Sequence, residues 1–520
     1  MYMNIVQHYV KYNATGFIPS NRFNPHENYQ LVKSNPYYLT PSMKRMISNN
    51  FFINLFRKLP GTADHDLTMQ IFLDREEKNR KINISLRNSV LKGDLGKVVS
   101  RWSHEVHKIL HEDPLPVGSL TMGATTHSKK GHGAFDRFLN AGITSDLENF
   151  LATQPVIDCD VPWIKTVSDI GSDCRIIDKD GIKGRLIHPE PACNMFYQRG
   201  YGLQLSSLYA KAGRNIPDLP ARHVELARQS SIDLSLCTID LSGGNLNLPT
   251  ELVRLVLPQE WFVHLDAARS KVTTYNGCAI SLETFTTAGN GFCFELESIL
   301  FYALVRAICY LRGHKGIVSV YGDDIICPDS AYKDVASCMG ALGFDINHEK
   351  SFHGDVPFRE SCGGDFFRGY PVRPVFCRTL LEDIGDVITL HNQCWERFSG
   401  LSQVKSIRDF QIFLRSIIFA NSDYDFGPSH VPGCVHSDFF FNETPKRLLC
   451  RVKGPSSKMN LGKQVAGTGR RGRELYFKLS MQSYLQGLGG HVVKHKLPKN
   501  LHGPIQQTWQ HLPFKTGEAV

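Results

Sequence analysis

The stretch from Ile317 to Cys327 reads IVSVYGDDIIC, in which two apolar, β-branched runs flank Gly-Asp-Asp. This pattern predicts a β-hairpin with two acids at its tip, because Gly322 can adopt a positive φ and reverse the chain. Adjacent carboxylates repel each other and neither strand supplies a cation, so we expect a positive ion from outside; hard oxygen ligands suit Mg²⁺. A solvated turn that happens to carry two acids is the alternative, and this stretch alone does not decide.

The composition is that of an ordinary globular protein. The chain has 520 residues, of which 42% are hydrophobic, and a formal charge of +9 from 59 Lys and Arg against 50 Asp and Glu. This length allows several subdomains, and so small a charge excess makes the placement of basic residues more informative than their number. The sequence has no run of about 18 uncharged apolar residues and no signal-peptide core, which favours a cytosolic protein without membrane contact.

The cysteines argue against a metal or disulfide framework. None of the fourteen falls in a C-x-x-C pair. Zinc knuckles are therefore not expected, and reduced, mostly buried thiols are the default in a cytosolic chain.

A second candidate metal ligand precedes the hairpin. Residues 236–244 read LCTIDLSGG, which predicts a buried strand that ends on Asp240 and continues into a turn of small residues. A carboxylate at the end of a central strand can bind a metal, whereas an isolated Asp at such a position more often caps a turn or a helix.

A glycine loop lies between these two acidic segments. Gly289-Asn290-Gly291 precedes a predicted helix over 292–311 that ends at Gly313. A glycine loop that leads into a helix offers free N–H groups and a positive dipole end, which suits a phosphate; a plain loop-to-helix turn is the alternative.

Two segments concentrate positive charge. Between residues 175 and 185, cations recur on short predicted strands joined by turns, and they would form a positive ridge able to contact a triphosphate: Arg175, Lys179, Lys183 and Arg185. Residues 446–478 carry many more cations against the single acid Glu474, which favours binding to a phosphate backbone. In both segments a solvated basic surface is the alternative.

Further elements follow the hairpin. The pattern predicts a helix over 332–342, a strand over 344–352 with Lys350 near its end, and a glycine turn between short strands at 358–365. Beyond residue 380 the pattern becomes mainly helical.

The order of these elements is that of the palm in right-hand-shaped nucleic-acid polymerases, and the chain resembles the replicase subunits of the small RNA bacteriophages (leviviruses). The resemblance covers roughly residues 115–380 well and the two ends poorly. The segments that carry it are Thr238-Ile239-Asp240-Leu241-Ser242, Gly289-Asn290-Gly291-Phe292 with Phe294-Glu295-Leu296-Glu297-Ser298, Tyr321-Gly322-Asp323-Asp324 and Phe358-Arg359-Glu360-Ser361-Cys362-Gly363.

This resemblance implies an α/β (α+β) right-hand fold of fingers, palm and thumb. Residues 1–150 would form an N-terminal arm and the outer fingers, and residues 151–235 the fingers with the basic ridge. Residues 236–378 would form the palm, an antiparallel sheet with helices that includes the catalytic hairpin and the finger-side Gly-Asn-Gly loop. Residues 379–520 would form the thumb and the basic C-terminal region.

The implied activity is RNA-templated RNA polymerisation, which replicates a positive-strand RNA phage genome from nucleoside triphosphates. Transfer of a nucleotide to a 3′-hydroxyl needs two Mg²⁺ about 3.5–4 Å apart. We assign Asp240 and Asp323 as the bridging ligands and Asp324 as an accessory ligand. Catalysis then consists mainly of positioning and charge neutralisation, so acids and cations dominate the candidate site.

The resemblance also implies roles for other residues. Lys183 and Arg185, joined by Lys179, would hold the incoming triphosphate, and Lys350 would protonate the pyrophosphate. Asn290, with the backbone of Gly289 and Gly291, would lie beside the ribose and the templating base pair.

The chain departs from the family pattern at the ribose. Leu246 stands where family members usually carry an acid, which leaves Asn245 or Asn247 to read the 2′-hydroxyl. Cys293 replaces the usual hydroxyl residue at the start of the helix.

Two other functions compete with RNA polymerisation. A reverse transcriptase also carries Tyr-x-Asp-Asp, although Gly322 and the Gly-Asn-Gly-Phe loop argue against it, and a catalytically silent RNA-binding scaffold is contradicted by the intact acids. The resemblance implies work in the cytoplasm of the bacterial host with translation elongation factors Tu and Ts and a ribosomal small-subunit protein.

Overall fold

The structure is a computed structural model that describes residues 63–420, with gaps at 90, 121–122, 129–140, 155–164, 179–183, 244–247, 379, 383 and 399–403. Scattered positions before residue 59 and two short strands near the C-terminus are also described. Lys179, Lys183, Asn245 and most of the basic segment 446–478 lie outside the described residues.

Helices make up about half of the described residues. In chain order they are α1 (His65–Asn88), α2 (Gly93–Ile109), α3 (Ser145–Thr153), α4 (Ala192–Lys211), α5 (Leu219–Asp233), α6 (Thr250–Val256), α7 (Gln259–Ala268), α8 (Cys293–Arg312), α9 (Tyr332–Ala341), α10 (Ile384–Phe398) and α11 (Lys405–Ala420).

The strands are short and form several small sheets. They are β1 (Ala141–Thr144), β2 (Thr166–Asp169), β3 (Ser172–Asp173), β4 (Arg175–Asp178), β5 (Gly184–Ile187), β6 (Leu236–Ile239), β7 (Val272–Tyr275), β8 (Cys278–Ser281), β9 (Ser319–Tyr321), β10 (Asp324–Pro328), β11 (Phe358–Ser361), β12 (Gly364–Phe367), β13 (Tyr370–Pro371), β14 (Leu448–Cys450) and β15 (Gln510–Leu512). The sheet orders are β1-β2, β3-β7-β8, β4-β5, β6-β10-β9, β11-β12-β13 and β14-β15. The predicted mixture of helices with an antiparallel sheet is therefore confirmed.

The chain divides into two compact units. One consists of residues 24–36 and 60–373, and it holds the acidic hairpin. The other consists of residues 1–23, 37–59 and 374–520, so it combines segments from both ends of the chain. In this second unit Phe51 packs edge-to-face on Phe398 and Phe410, with ring centroids 5.4 Å apart in both pairs. Helices α10 and α11 agree with the mainly helical pattern predicted after residue 380, as far as residue 420.

Helix α8 is the centre of the larger unit. It is buried on nearly all sides, as expected for a helix that is apolar all round, and it packs against α2 and α4. The indole N–H of Trp102 in α2 donates to the carbonyl of Leu300, 2.8 Å away. Gly313 ends the helix with φ +74°, the left-handed conformation that glycine adopts most readily. The predicted helix and its end are therefore confirmed.

The sheet β6-β10-β9 lies on this helix. Strands β9 and β10 form the predicted hairpin, in which Tyr321 pairs with Asp324 across a two-residue turn. Gly322 has φ +62°, as the first central residue of a type II′ turn requires. The predicted strand before Asp240 pairs antiparallel with β10.

One predicted strand is wrong. Residues 344–352, which include Lys350, make only isolated bridges, from Ile346 to Leu241 and from Phe352 to Thr238, with turns between them. The segment therefore follows the edge of β6 without forming a continuous ladder.

The glycine turn predicted at 358–365 is confirmed, since it joins β11 to β12. None of the described helices is long and apolar enough to cross a membrane.

Candidate active site

Pairing between β6 and β10 brings the three predicted aspartates together. Ile239 lies opposite Ile325 in the antiparallel register. Asp240 follows Ile239 and Asp324 precedes Ile325, so the two aspartates lie side by side at the same end of the strands. Asp323 occupies the adjoining turn. Acids that are more than eighty positions apart in the sequence therefore share one sheet edge.

The carboxylates disfavour one another's charge. Burial, followed by the charge of Asp240, raises the pKa of Asp323, while Lys350 and Arg185 lower it. Burial and the charge of Asp323 raise the pKa of Asp324 to about 6. Both acids are half-buried, so their repulsion is not fully screened by water. A cation bound among them would relieve this repulsion.

Asp240 is held by the segment that follows α9. The Asn347 side-chain amide donates to Asp240 Oδ2 at 2.8 Å, and the ammonium of Lys350 lies 3.5 Å from the same oxygen. The backbone N–H of Asp240 donates to Ser351 Oγ at 3.1 Å. This segment therefore brings Lys350 to the acids, although it does not form the predicted strand.

Asp324 is held from the other side by the β11–β12 turn. The backbone N–H of Cys362 donates to Asp324 Oδ2 at 3.2 Å, and the Cys362 thiol lies 3.4 Å from that oxygen. In the described part of the chain, these contacts reach one oxygen of Asp324 and leave the other without a hydrogen bond.

This donor set fits a divalent cation of the Mg²⁺ type. It consists of carboxylate oxygens, which hard cations prefer, and the acids raise one another's pKa where no cation separates them. Among the described residues no three His, Cys, Asp or Glu side chains are already closed around a point.

Helix α8 supports the hairpin turn. The backbone N–H of Gly322 donates to Ser298 Oγ at 2.8 Å, and the ring of Phe294 packs on Tyr321 with centroids 4.6 Å apart. A Cβ added at Gly322 would lie 2.6 Å from the Phe294 ring. The turn can therefore keep this position only with glycine.

We predict that Gly322→Ala lowers the RNA synthesis implied by the resemblance by about tenfold or more, because φ +62° strains an L residue by roughly 1–2 kcal/mol and the methyl group displaces Asp323 or Phe294. The matched control is Gly313→Ala, at φ +74° with nothing within 4 Å of the added Cβ. It shares a positive φ without the clash, so thermal unfolding and RNA synthesis of the two variants show how much of the effect comes from displacement of the turn. Equal synthesis by both variants would contradict the prediction.

Sequence reasoning missed Glu297, an acid on the buried side of α8. Its side chain is 5% exposed, and its Oε1 has no hydrogen-bond partner among the described residues. Burial, with a smaller contribution from Asp323, raises the pKa of Glu297 well above its usual range, and the side chain of Cys293 opposes the rise. Glu297 is therefore a buried acid near Asp323, in surroundings that disfavour its charge. The sequence signal was an acid one turn after Cys293 in a mostly apolar helix.

The Gly-Asn-Gly loop lies beside α8, but its backbone is already engaged. The N–H of Gly289 and of Asn290 donate to Thr287 O, and the N–H of Gly291 donates to Gln198 Oε1 at 2.9 Å. The expectation of free N–H groups is therefore wrong. Gly289 is needed for close packing instead, since an added Cβ would lie 1.8 Å from the carbonyl oxygen of His188.

Asn290 contributes to the loop through its own side chain. It is 8% exposed, and its Oδ1 accepts from the N–H of Phe292 at 3.1 Å. Its side-chain amide N–H groups remain the part of this loop that could donate to a nucleotide.

The basic ridge is a β-hairpin, as predicted. Strands β4 and β5 pair antiparallel, and the N–H of Gly184 donates to Thr68 Oγ1 of α1 at 2.9 Å. Arg185 is exposed, and its charge reaches the site because it lowers the pKa of Asp323. Lys179, Lys183 and Asn245 lie outside the described residues.

The sequence pattern of one family covers most of the chain. The family described as "RNA replicase, beta-chain" matches residues 56–425, which include every described residue of the site. The chain belongs to this family.

Individual members show the same relationship. The chain is 35% identical over 306 residues to the RNA-directed RNA polymerase beta chain of Escherichia phage MS2, covering 57% of this chain and 53% of that protein. It is 31% identical over 323 residues to the RNA-directed RNA polymerase subunit beta of Escherichia virus Qbeta, covering 60% and 54%. The matched part of the chain thus spans about half the length of these relatives. Among solved structures it is similar to a Sicinivirus 3Dpol RNA dependent RNA polymerase, with 12% identity, a TM-score of 0.38 and coverage of 64% of this chain and 83% of that one.

Proposed function

We propose that this chain is an RNA-directed RNA polymerase that replicates the positive-strand RNA genome of a bacteriophage in the cytoplasm of its host. The observation that carries the proposal is the convergence of Asp240, Asp323 and Asp324 on one sheet edge of a chain that belongs to the RNA replicase family. The reaction transfers a nucleotide from a nucleoside triphosphate to the 3′-hydroxyl of the growing RNA and releases pyrophosphate.

The three aspartates would hold two Mg²⁺ ions, with Asp240 and Asp323 as ligands of both and Asp324 as an accessory ligand. When bound, the ions would lower the pKa of the 3′-hydroxyl and neutralise the triphosphate. The chain's own contribution is to fix the carboxylates close together, where their mutual repulsion favours a bound cation.

The cations around the acids suit the triphosphate. Arg185, whose charge reaches Asp323, would bind its oxygens together with Lys179 and Lys183. Lys350, which lies 3.5 Å from Asp240, would donate a proton to the departing pyrophosphate. Asn290, supported by Gly289 and Gly291, and Asn245 after the catalytic strand would contact the nucleotide.

We further propose the right-hand arrangement for this chain, with a palm over residues 236–378. Sheet β6-β10-β9 and helices α8 and α9 would be its core, the β4–β5 hairpin would belong to the fingers, and residues 379–520 would form the thumb and a basic RNA-binding region. The partners in this proposal are template and product RNA, nucleoside triphosphates, elongation factors Tu and Ts and a ribosomal small-subunit protein.

The test is primer extension by the purified chain with Mg²⁺, an RNA template and all four ribonucleoside triphosphates, with and without host extract. We expect RNA synthesis, and a requirement for the extract would support the host partners. Extension only with deoxyribonucleoside triphosphates would favour a reverse transcriptase. RNA binding without synthesis in either condition would favour the silent scaffold.

We predict that metal binding weakens as the pH falls through about 6. The raised pKa of Asp324 means that a proton competes with the cation below that pH, so the apparent Kd for Mn²⁺ should rise about fourfold between roughly pH 7.5 and pH 5.5. Mn²⁺ binding followed by electron paramagnetic resonance, without nucleotide, measures this directly. Asp324→Asn should flatten the dependence, and an unchanged Kd in the native protein would contradict the prediction.

A further inference from the structure

The turn between β11 and β12 has an unusual backbone. Cys362 has φ +46° and Gly363 has φ +80°, so both central residues are left-handed, as in a type I′ turn. Gly, Asn and Asp are the residues that tolerate this conformation best, and a cysteine there is strained. A cysteine in this position therefore needs a reason beyond the turn itself.

The contacts of Cys362 supply that reason. Its backbone N–H and its thiol approach the same oxygen, Asp324 Oδ2, at 3.2 and 3.4 Å. A cysteine thiol is ordinarily protonated at neutral pH, so the S–H of Cys362 can donate a hydrogen bond to this carboxylate oxygen.

The turn is fixed to the catalytic sheet without the help of Asp324. His223 of α5 is fully buried between two hydroxyls, with Nδ1 2.9 Å from Ser361 Oγ of β11 and Nε2 2.9 Å from Ser319 Oγ of β9. Arg359 of β11 donates to the carbonyl of Leu236 in β6 at 2.6 Å. Strand β11 is thus tied to both strands that flank β10, and the two donors of Cys362 meet the first residue of β10.

We propose that Cys362 is a positioning residue for cation binding, which holds Oδ2 of Asp324 so that one oxygen of this carboxylate is left for a metal ion. The inference rests on the proposed function, because it takes the aspartates to be metal ligands. It adds that the β11–β12 turn, through a side-chain donor, sets the affinity of the site for the ion.

The experiment compares Cys362→Ala with Cys362→Ser in the full chain, and uses Cys278→Ala, at an exposed cysteine of β8, as the matched control. Removal of a group that orients a metal ligand typically weakens metal binding about 10–100-fold. Because Cys362→Ala keeps the backbone donor, we expect its Kd for Mn²⁺, measured by electron paramagnetic resonance, to rise about tenfold. The half-saturating Mg²⁺ concentration for RNA synthesis should rise in parallel at unchanged KM for nucleotides.

Cys362→Ser keeps a donor and should stay within about twofold of the native protein, as should Cys278→Ala. Native Mn²⁺ affinity in Cys362→Ala would overturn the inference. Equal losses in the alanine and serine variants, with a lowered Tm in both, would also overturn it, because that result indicates packing and not hydrogen bonding. If Asp323→Asn binds Mn²⁺ as the native protein does, the metal ligands lie elsewhere and the proposed function fails first.

Discussion

Asp323→Asn should reduce RNA synthesis by about 10³-fold or more, equivalent to about 4 kcal/mol of lost transition-state stabilisation, while the protein unfolds no more easily than the native chain. Asparagine keeps the shape of the turn and removes the charge that a cation would bind. The stability expectation follows from the pKa of Asp323, which burial and Asp240 raise in the folded chain. Ionising this acid therefore opposes folding at neutral pH, and the substitution removes that opposition.

The sign of the effect fixes its pH dependence. The folded chain holds the Asp323 proton more tightly than the unfolded chain does. The contribution of this acid to the free energy of unfolding therefore decreases as the pH rises above 3.8, its ordinary pKa. The stabilisation of Asp323→Asn over the native protein should accordingly be larger at about pH 7 than at about pH 4. Thermal unfolding at the two pH values measures it.

Asp74→Asn is the matched control, since Asp74 is exposed on α1 and accepts a hydrogen bond from Gln70. It should leave both RNA synthesis and Tm unchanged. If Asp323→Asn instead retained normal RNA synthesis, the silent scaffold would be the better explanation of the fold. If Asp323→Asn lost RNA synthesis and also had a lower Tm than the native chain, the result would indicate misfolding and not the loss of a metal ligand.

Local patterns in the sequence predicted the parts of the site that lie within one or two elements. The β-branched runs around Gly322 specified the hairpin, the apolar run before Asp240 specified a strand, and the helix after Gly291 ends at the predicted glycine. The strand predicted over residues 344–352 is wrong. Their apolar pattern allows a strand, whereas in the structure they form only isolated bridges to the edge of β6.

Contacts between distant segments were beyond the reach of these patterns. The N–H groups of the Gly-Asn-Gly loop donate hydrogen bonds to Thr287 and Gln198. No local sequence pattern predicts that the side chain of Gln198 contacts Gly291. Likewise, Cys362 and His223 act on the hairpin only because β11 is folded against the sheet. Local patterns therefore identified the charged residues of the site, whereas contacts between distant segments determine which groups hydrogen-bond to each of them.

Arg359 provides the second large effect, on stability. Its side chain is fully buried, and its guanidinium donates to backbone carbonyls at both ends of its fork: to Leu236 at 2.6 Å, to Phe358 at 2.8 Å and to Gly354 at 3.3 Å. Asp329 Oδ1 lies 3.4 Å away and balances part of the charge. Burial lowers the pKa of Arg359, and the charge of Asp329 opposes this change.

We expect Arg359→Met to destabilise strands β6 and β11 by about 3–5 kcal/mol, because a methionine fills much of the volume but leaves buried carbonyls and Asp329 without donors. Arg359→Lys should recover little, since one ammonium cannot reproduce a planar fork with separated donors. Because the chain divides into two units, global unfolding does not isolate this effect. Hydrogen exchange of the β6 and β11 amides, read by mass spectrometry, gives the local free energy of opening.

The control is Arg228→Met, which removes a surface ion pair with Glu225 and should change the exchange rates little. Since Arg359 ties β11 to the strand that ends at Asp240, its loss should also loosen the turn that holds Asp324 and weaken Mn²⁺ binding. Cys362→Ala should weaken Mn²⁺ binding without faster exchange in β6. If Arg359→Met opened these strands yet bound Mn²⁺ as tightly as the native protein, the position of β11 would not matter to the metal site, and the coupling argued for the two hairpins would be wrong.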